Sequence, residues 1–502
     1  MHKTADAGII LAGLARYLLL YLILTNMMLK KYYHEIILCL LILAFVIFKI
    51  PHLSLPFMSD EGFAYGPAVH KMYDEGLGLL PSSLDPEFSY GHPLLFHFSA
   101  AGWMKIFGDS QTGAKSFALF LAVLLLFSLY YILKKLFNKD AALLAVVLLM
   151  LQPVFITQSS FLLLEIMVTL LGLWTIFFWF ERKFWQYMLF STLLVMTKES
   201  GLFLVFALCV WQLIDFVIVR SDKFSIWLFF QRYLILLLPA IVFGIYLVIQ
   251  YFTYGWFIYP LRLHDLNFTA DTLKHNSWWT RQIIFFLHGR SYITLALLVA
   301  TLVYYFIPGT RLTSRQWNVL WFLLIFIFIY QYISIFNFIS NRYFLICNAA
   351  LIMITAVVMV QTFEKYKWLL YPLSLLLIFS QAWWSNERSN PGDDCLGGID
   401  VSSVHQQTVR YLEGENLYND RIFTHFLMRI NLTWPSVGYL SDDQTFSDLK
   451  MEFSDNVKYV VASSTELYET DSVRQLPQLR LLQRYEQYHA WSEIYINENY
   501  RE

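Results

Sequence analysis

Charge is what this chain has least of. Only 15% of its 502 residues are Asp, Glu, Lys or Arg, whereas an ordinary soluble protein carries about 25%. That shortage excludes a conventional water-soluble globule. Cysteine is equally scarce. Its four residues show no zinc or haem spacing and are too few for a disulfide framework. Cys39, Cys209 and Cys347 lie in apolar runs, where small buried thiols are expected, and Cys395 stands alone further on. The sequence also lacks internal repeats, low-complexity tracts and any GxxxxGKS loop for a nucleotide's phosphates. What it has in abundance is apolar surface. Hydrophobic residues make up 58% and aromatics 18%, and Phe, Trp and Tyr flank the apolar runs as interfacial anchors do. This is the composition of a polytopic α-helical membrane protein.

A crossing helix needs about 20 apolar residues. Candidate spans fall near 35–51, 116–134, 140–157, 161–180, 184–197, 201–219, 226–250, 291–308, 317–336, 343–361 and 368–384. That predicts about eleven spans, or twelve if residues 9–28 also cross. Residues 1–34 read as an in-plane helix, an extra span or a signal-like segment, and Arg16 in their middle weakens a simple crossing. Alternate connections carry "LKKYYH", "LKKLFNKD", "ERKF", "RSDKF", "GTRLTSRQ" and "EKYK", all short and basic. The positive-inside rule assigns that set to the cytoplasm.

The opposite face then receives the outer loop 52–113, the segment 251–290 and everything from 385. The loop mixes apolar and polar residues, as helices lying along an interface do. The expected transmembrane domain is thus 35–384, followed by a soluble, non-cytoplasmic domain over 385–502. From Ser385 onward the chain holds 19 of its 37 acidic and 10 of its 36 basic residues, leaving 18 and 26 before it. The acidic part opens on "SNERSNPGDDCLGG" and then suggests a helix ending at Gly414. Strands follow at "DRIFTHF", "VKYVVASST" and "AWSEIYINEN", the pattern of a small α/β domain.

Chemistry-bearing residues concentrate on that outer face. Asp60 and Glu61, in "FMSDEGFAYG", are either a helix-start pair or carboxylates at the mouth of a cavity, one of them accepting a proton from an attacking hydroxyl. His92 precedes Pro93, so its chain is extended or turning before the next helix. Glu165 lies about one turn into a span, a depth at which a carboxylate must face protein or water. Lys198 and Glu199 sit between two spans, as an interfacial ion pair or as part of a site. Arg342 opens another span and either snorkels or grips a phosphate with its two-pronged fork.

Together "SDEGFAYGPAVHKMYDEG" and "YGHPLLFHFSAAGWMKIFGDS" resemble the first outer loop of the integral-membrane glycosyltransferases related to protein O-mannosyltransferases and to the bacterial enzymes that add aminoarabinose to lipid A. "QPVFITQSSFLLLEIMVTLL", "LFSTLLVMTKESGLF" and "NRYFLICNAALIM" extend the likeness over most of 36–361, and the C-terminal part resembles their small extramembrane domain. Two positions depart from the pattern. His92 is followed by one proline where relatives often have two, and Lys115 replaces a frequent arginine.

The resemblance implies a GT-C type fold and a polyprenyl-phosphate (or dolichyl-phosphate) sugar as donor substrate. It also implies inverting transfer to a hydroxyl or phosphate on the non-cytoplasmic face. By the same resemblance Asp60 is the base with Glu61 beside it, Lys198 and Arg342 hold the lipid phosphate, and Glu165 and Glu199 contact sugar or acceptor. The acceptor is a glycan, lipid or protein, and nucleic acid is not among the expected partners. A divalent metal is left open, because a carboxylate pair can bind one but no His or Asp spacing accompanies it. The few outer-face cysteines point to a bacterial inner membrane, with the C-terminal part in the periplasm or exterior. The alternative is a transporter or flippase of a lipid-linked or polar solute. Such a protein should carry paired halves with interrupted midplane helices, which this sequence lacks.

Overall fold

The computed structural model describes residues 32–219, 226–264, 266, 268–306, 311–389, 391–466 and 472–500. The expected segment 9–28 and most of 1–34 lie outside them, as does the "RSDKF" loop up to Phe224 apart from its continuation into the next helix. The chain divides into two compact units, Met1–Phe48 and Lys49–Glu502. Helix α1 (residues 32–49) makes up all of the described part of the first.

Short helices build the outer loop: α2 (Gly66–Glu75), α3 (Pro86–Ser89) and α4 (Leu95–Phe107). The bundle follows with α5 (Gln111–Leu136), α6 (Lys139–Met150), α7 (Pro153–Gln158), α8 (Glu165–Phe180), α9 (Phe184–Thr197), α10 (Gly201–Ile214) and α11 (Ile226–Tyr254). It continues through α12 (Pro260–His264), α13 (Ala270–Phe285), α14 (Arg290–Phe306), α15 (Ser314–Ser334), α16 (Leu345–Phe363) and α17 (Lys367–Ser385). Six described helices are long and apolar enough to cross a membrane, namely Tyr32–His52, Gln111–Leu136, Phe230–Tyr254, Leu287–Phe306, Ser314–Ser334 and Asn341–Phe363. Shorter apolar helices occupy 165–180, 184–197 and 201–217. The chain is an integral membrane protein.

Local chemistry sets the helix ends. The Ser110 hydroxyl accepts from Gly113 N–H at the start of α5, and Asn138 accepts from Ala141 N–H at the start of α6. Thr313 and Gln316 form a reciprocal capping box on α15. The expected span 140–157 is broken in two. Pro153 forces Gln152 into extended backbone, so α6 stops and α7 restarts in a new direction. α16 is the central helix, with 94% of its apolar window buried, packed among α6, α8, α14 and α15. In lipid such burial gains from close packing rather than from escape from water. Cys347 and Cys395 are buried, but Cys39 is exposed, because an apolar run on a membrane helix turns outward as readily as inward.

Beyond α17 lie α18 (Gly397–Gly414), α19 (Phe426–Thr433) and a five-stranded sheet. Its strands are β1 (Ile422–Phe423), β2 (Leu449–Lys450), β3 (Tyr459–Ser463), β4 (Leu479–Gln487) and β5 (Ala490–Asn497), in the order β2-β1-β3-β5-β4. β1 pairs parallel with β2 and β3, while β5 is antiparallel to β3 and β4. "DRIFTHF" yields only the two residues of β1 before α19 begins. β4 alternates partly buried and exposed residues with many charges, so its sequence carried no strand signal. Asn431, in the "NLT" sequon at 431–433, is buried and its amide bonds His405 at 3.0 Å, so in the folded chain it is not open to glycosylation.

This C-terminal part is tied to the bundle at the face where the outer loop lies. Phe57 N–H donates to Val437 O at 2.9 Å, and Gln158 Nε2 donates to Asp393 O at 2.8 Å. These ties bring loop, bundle and C-terminal part together at one place.

Candidate functional site

The acidic pair splits. Ser59 adopts φ +56°, in the left-handed region, and a π-helical turn follows over Glu61–Tyr65. A non-glycine residue there is strained, and strain of this kind collects at functional sites. Asp60 stands at the cap position but makes no side-chain cap bond. Its Oδ2 pairs instead with Arg342 Nη2. Glu61 points the other way and is fully buried. Its carboxylate accepts from Leu162 N–H at 2.6 Å and Met58 N–H at 3.3 Å, and pairs with Lys115 at 3.1 Å. Lys115 also donates to Pro56 O at 3.0 Å. Glu61 is thus not beside Asp60 in the site. It anchors the outer loop to α5 and to the segment before α8.

Arg342 collects carboxylates. Asp60 and Asp393 pair with its two terminal nitrogens, and Glu165 Oε1 lies 3.5 Å from Nε. Glu165 is the first residue of α8 rather than a turn inside a span, so its charge also meets the positive end of that helix. The same Oε1 pairs with Lys198 Nζ at 3.1 Å. The Lys198 ammonium lies 3.9 Å from the Tyr343 ring centroid. Three carboxylates and two cations thus interlock, all but Asp60 nearly or fully buried. Pairing is what makes such burial tolerable.

A second cluster adjoins the first. Glu199 Oε2 lies 2.7 Å from His92 Nδ1, Glu199 Oε1 pairs with Arg262 Nη1, and Arg262 Nη2 meets His92 Nε2. Arginine can only donate, so Nε2 must accept and Nδ1–H must donate to Glu199. The ring is therefore a neutral imidazole of defined tautomer. Burial, reinforced by the Arg262 guanidinium, lowers its pKa to about 4. Burial pushes the Glu199 carboxyl up, but Arg262 and His92 outweigh it and hold the group well below the usual carboxylate range. Gly91, at φ +70°, makes this closure possible. A Cβ there would come within 2.7 Å of Tyr259, in the segment that leads into Arg262.

Both clusters border a cavity of about 840 Å³. Asp60, His92, Lys198, Glu199 and Arg262 line its polar side, and Phe203, Leu261, Phe268, Ile333, Phe336 and Phe338 its apolar side. Arg342 and Glu165 stand behind that wall, buttressing Asp60 and Lys198. Six of the seven residues expected from the sequence are therefore brought together, and Glu61 is not. Arg262 and Asp393 were missed, one in "PLRLH" and the other in a glycine- and aspartate-rich connection, where each reads as ordinary surface charge. Among the described residues, no group of three or more His, Cys, Asp or Glu is placed to hold a metal ion.

The cleft thus joins a charged side to an apolar side at one end of the helical bundle. The fold defines a class: it is that of the integral-membrane GT-C glycosyltransferases. Residues 91–243 match the family profile of dolichyl-phosphate-mannose-protein mannosyltransferases. The crystal structure of ArnT from Cupriavidus metallidurans bound to undecaprenyl phosphate is similar over 94% of this chain and 99% of that one, at 11% identity and TM-score 0.57. Its apo state gives 92% and 99%, 10% identity and TM-score 0.55. The oligosaccharyltransferase AglB from Archaeoglobus fulgidus, in complex with an inhibitory peptide and a dolichol-phosphate, is similar over 93% of this chain and 74% of that one, at 12% identity and TM-score 0.51. No curated protein matches the sequence.

Proposed function

We propose that the protein is a glycosyltransferase that moves a sugar from a polyprenyl-phosphate donor to an acceptor hydroxyl or phosphate, with inversion, on the non-cytoplasmic face. One observation carries this reading: Asp60 and the cations Lys198 and Arg262 line the same cavity, opposite an apolar wall. The lipid's first isoprene units would lie against that wall and its phosphate against the two cations. Arg342 is committed to three carboxylates, so Arg262 replaces it as the partner of Lys198.

In the proposed step the acceptor oxygen attacks the anomeric carbon from the face away from the phosphate. The acceptor's proton passes to Asp60, and the bond between anomeric carbon and phosphate oxygen breaks. Polyprenyl phosphate leaves with the bonding electron pair, and Lys198 and Arg262 offset the charge that grows on it. The neutral His92 neither gives nor takes a proton here. It fixes Glu199 and Arg262 in place. The C-terminal part from 385 is proposed to lie outside the cytoplasm, joined to the site through the pairing of Asp393 with Arg342. Ionisable side chains of both clusters sit at helix ends, and nothing favours the transporter alternative.

The direct test supplies membranes containing the protein with radiolabelled polyprenyl-phosphate sugars and candidate acceptors. Label should move from donor to acceptor. Label that crosses the membrane still attached to its lipid would support a flippase and refute the proposal.

A further inference from the structure

Two helices that line the cavity, α10 and α15, and α8, whose Glu165 stands behind its wall, also reach a second one at their opposite ends. α8 runs from Glu165 to Phe180, α10 begins next to Ser200 and ends at Ile214, and α15 ends at Ser334 after starting at Ser314. At about 1.5 Å per residue, those far ends lie roughly 20–30 Å from the first site. The second cavity measures about 580 Å³. Three arginines from three different elements converge on it: Arg182 after α8, Arg232 in α11 and Arg315 in α15. Glu181, paired with Arg315, and Asp215 offset two of those charges, leaving one net positive charge among the described residues that line it.

Several features distinguish this cavity from a row of snorkelling arginines. Gln212 is buried, at 5% exposure, and lines the cavity, as does Asn318. Neither amide has a hydrogen-bond partner among the described residues, so both are available to a ligand. Arg182 adopts φ +56°, a strained conformation for a residue with a side chain. α10 passes into a π-helical turn at Asp215–Val219, an irregularity common beside functional sites. Trp179 and Trp211 form the apolar wall.

The geometry points to a binding site for the phosphodiester headgroup of an anionic membrane lipid, on the membrane face opposite the glycosyl-transfer cavity. A phosphodiester carries one negative charge, which matches the net charge of the lining. Arginine forks bind phosphate oxygens in pairs, and the two amides can meet the ester or glycerol oxygens. The tryptophans and the "ERKF" connection place the site at the level of lipid headgroups.

Native mass spectrometry of the purified full chain, released from micelles containing phosphatidylglycerol and phosphatidylcholine, tests this. The protein should retain phosphatidylglycerol at least about tenfold over phosphatidylcholine. Arg182→Gly should reduce that preference by about tenfold, the loss expected for one charge-assisted hydrogen bond. Glycine adopts positive φ freely, so this variant keeps its thermal stability. Asn318→Leu is the second variant and should shift the preference the same way. Equal retention of the two lipids by the parent overturns the proposal, and so does an unchanged preference in both variants. Added inorganic phosphate distinguishes the sources: displacement of the lipid at millimolar concentration assigns the site to free phosphate, and continued retention assigns it to the lipid.

Discussion

Asp60 and Arg342, 282 positions apart in the chain, form a direct ion pair through Oδ2 and Nη2. The pair joins the outer loop to the start of the central helix α16, and Asp393 extends it to the C-terminal part. Three separate stretches of chain thus fix the orientation of one carboxylate. Asp60 is 31% exposed at its side chain and borders the cavity, so it keeps contact with whatever enters.

On the proposed mechanism Arg342 is expected to act through Asp60 and Glu165, with which it pairs, rather than on the lipid phosphate. Arg342→Ala would leave three carboxylates facing one another without their common partner, a loss on the order of 3–5 kcal/mol for a buried network. The unfolding midpoint should fall sharply. Arg342→Lys should recover part of the stability but less of the turnover, because an ammonium cannot hold Asp60 and Asp393 at fixed angles. Full turnover in Arg342→Ala would remove the residue from the site's architecture.

Arg262 is expected to act on the donor. Arg262→Ala should raise KM for the lipid phosphate by about tenfold or more, the loss of a charge-assisted contact. Its effect on stability should be smaller than that of Arg342→Ala, since Arg262 is partly exposed. A steady-state assay over donor concentration reads this directly, and an unchanged KM would contradict the role.

The Glu61–Lys115 pair is structural. Glu61→Gln should destabilise the protein by about 3–5 kcal/mol, because it strands a buried ammonium. Joint replacement, Glu61→Gln with Lys115→Met, should recover much of that loss. A double-mutant cycle on thermal unfolding measures the coupling, and a value near zero would show that the two side chains do not depend on each other.

Acid should weaken the fold through His92. Its pKa is about 4 in the folded protein, against 6.5 for a free histidine. Between those values the unfolded chain binds the extra proton, so stability is complete above about pH 6.5 and falls as pH drops towards 4. The full difference is on the order of 3 kcal/mol. Glu199, held low by Arg262 and His92 against its burial, adds a loss of the same sign at still lower pH. In His92→Gln the loss between pH 6.5 and 4 should shrink, as followed by unfolding midpoint against pH.

How much of this was legible from residues alone follows from what each signal encodes. Apolar runs and basic connections mark where helices lie, since membrane insertion reads composition. The break at Gln152–Pro153 shows the limit: a twenty-residue window averages over one proline. Glu165, Lys198 and Arg342 stood out because charges are costly next to lipid. Arg262 and Asp393 did not, because in polar connections charges are ordinary, and only the fold reveals which of them turn inward. Adjacent Asp60 and Glu61 look equivalent in sequence. The positive φ of Ser59 and the π-turn send them in opposite directions, and neither feature has a sequence signature.

Asp60→Asn, assayed for sugar transfer from radiolabelled polyprenyl phosphate, tests the central claim most directly. Asparagine keeps the shape and an oxygen for Arg342, which retains Glu165 and Asp393, so the protein should remain folded in the membrane. It cannot take a proton. Turnover should fall by about 10²–10⁴-fold, the usual contribution of a positioned general base, with donor binding little changed. Turnover equal to the parent's, in a folded variant, would contradict the account.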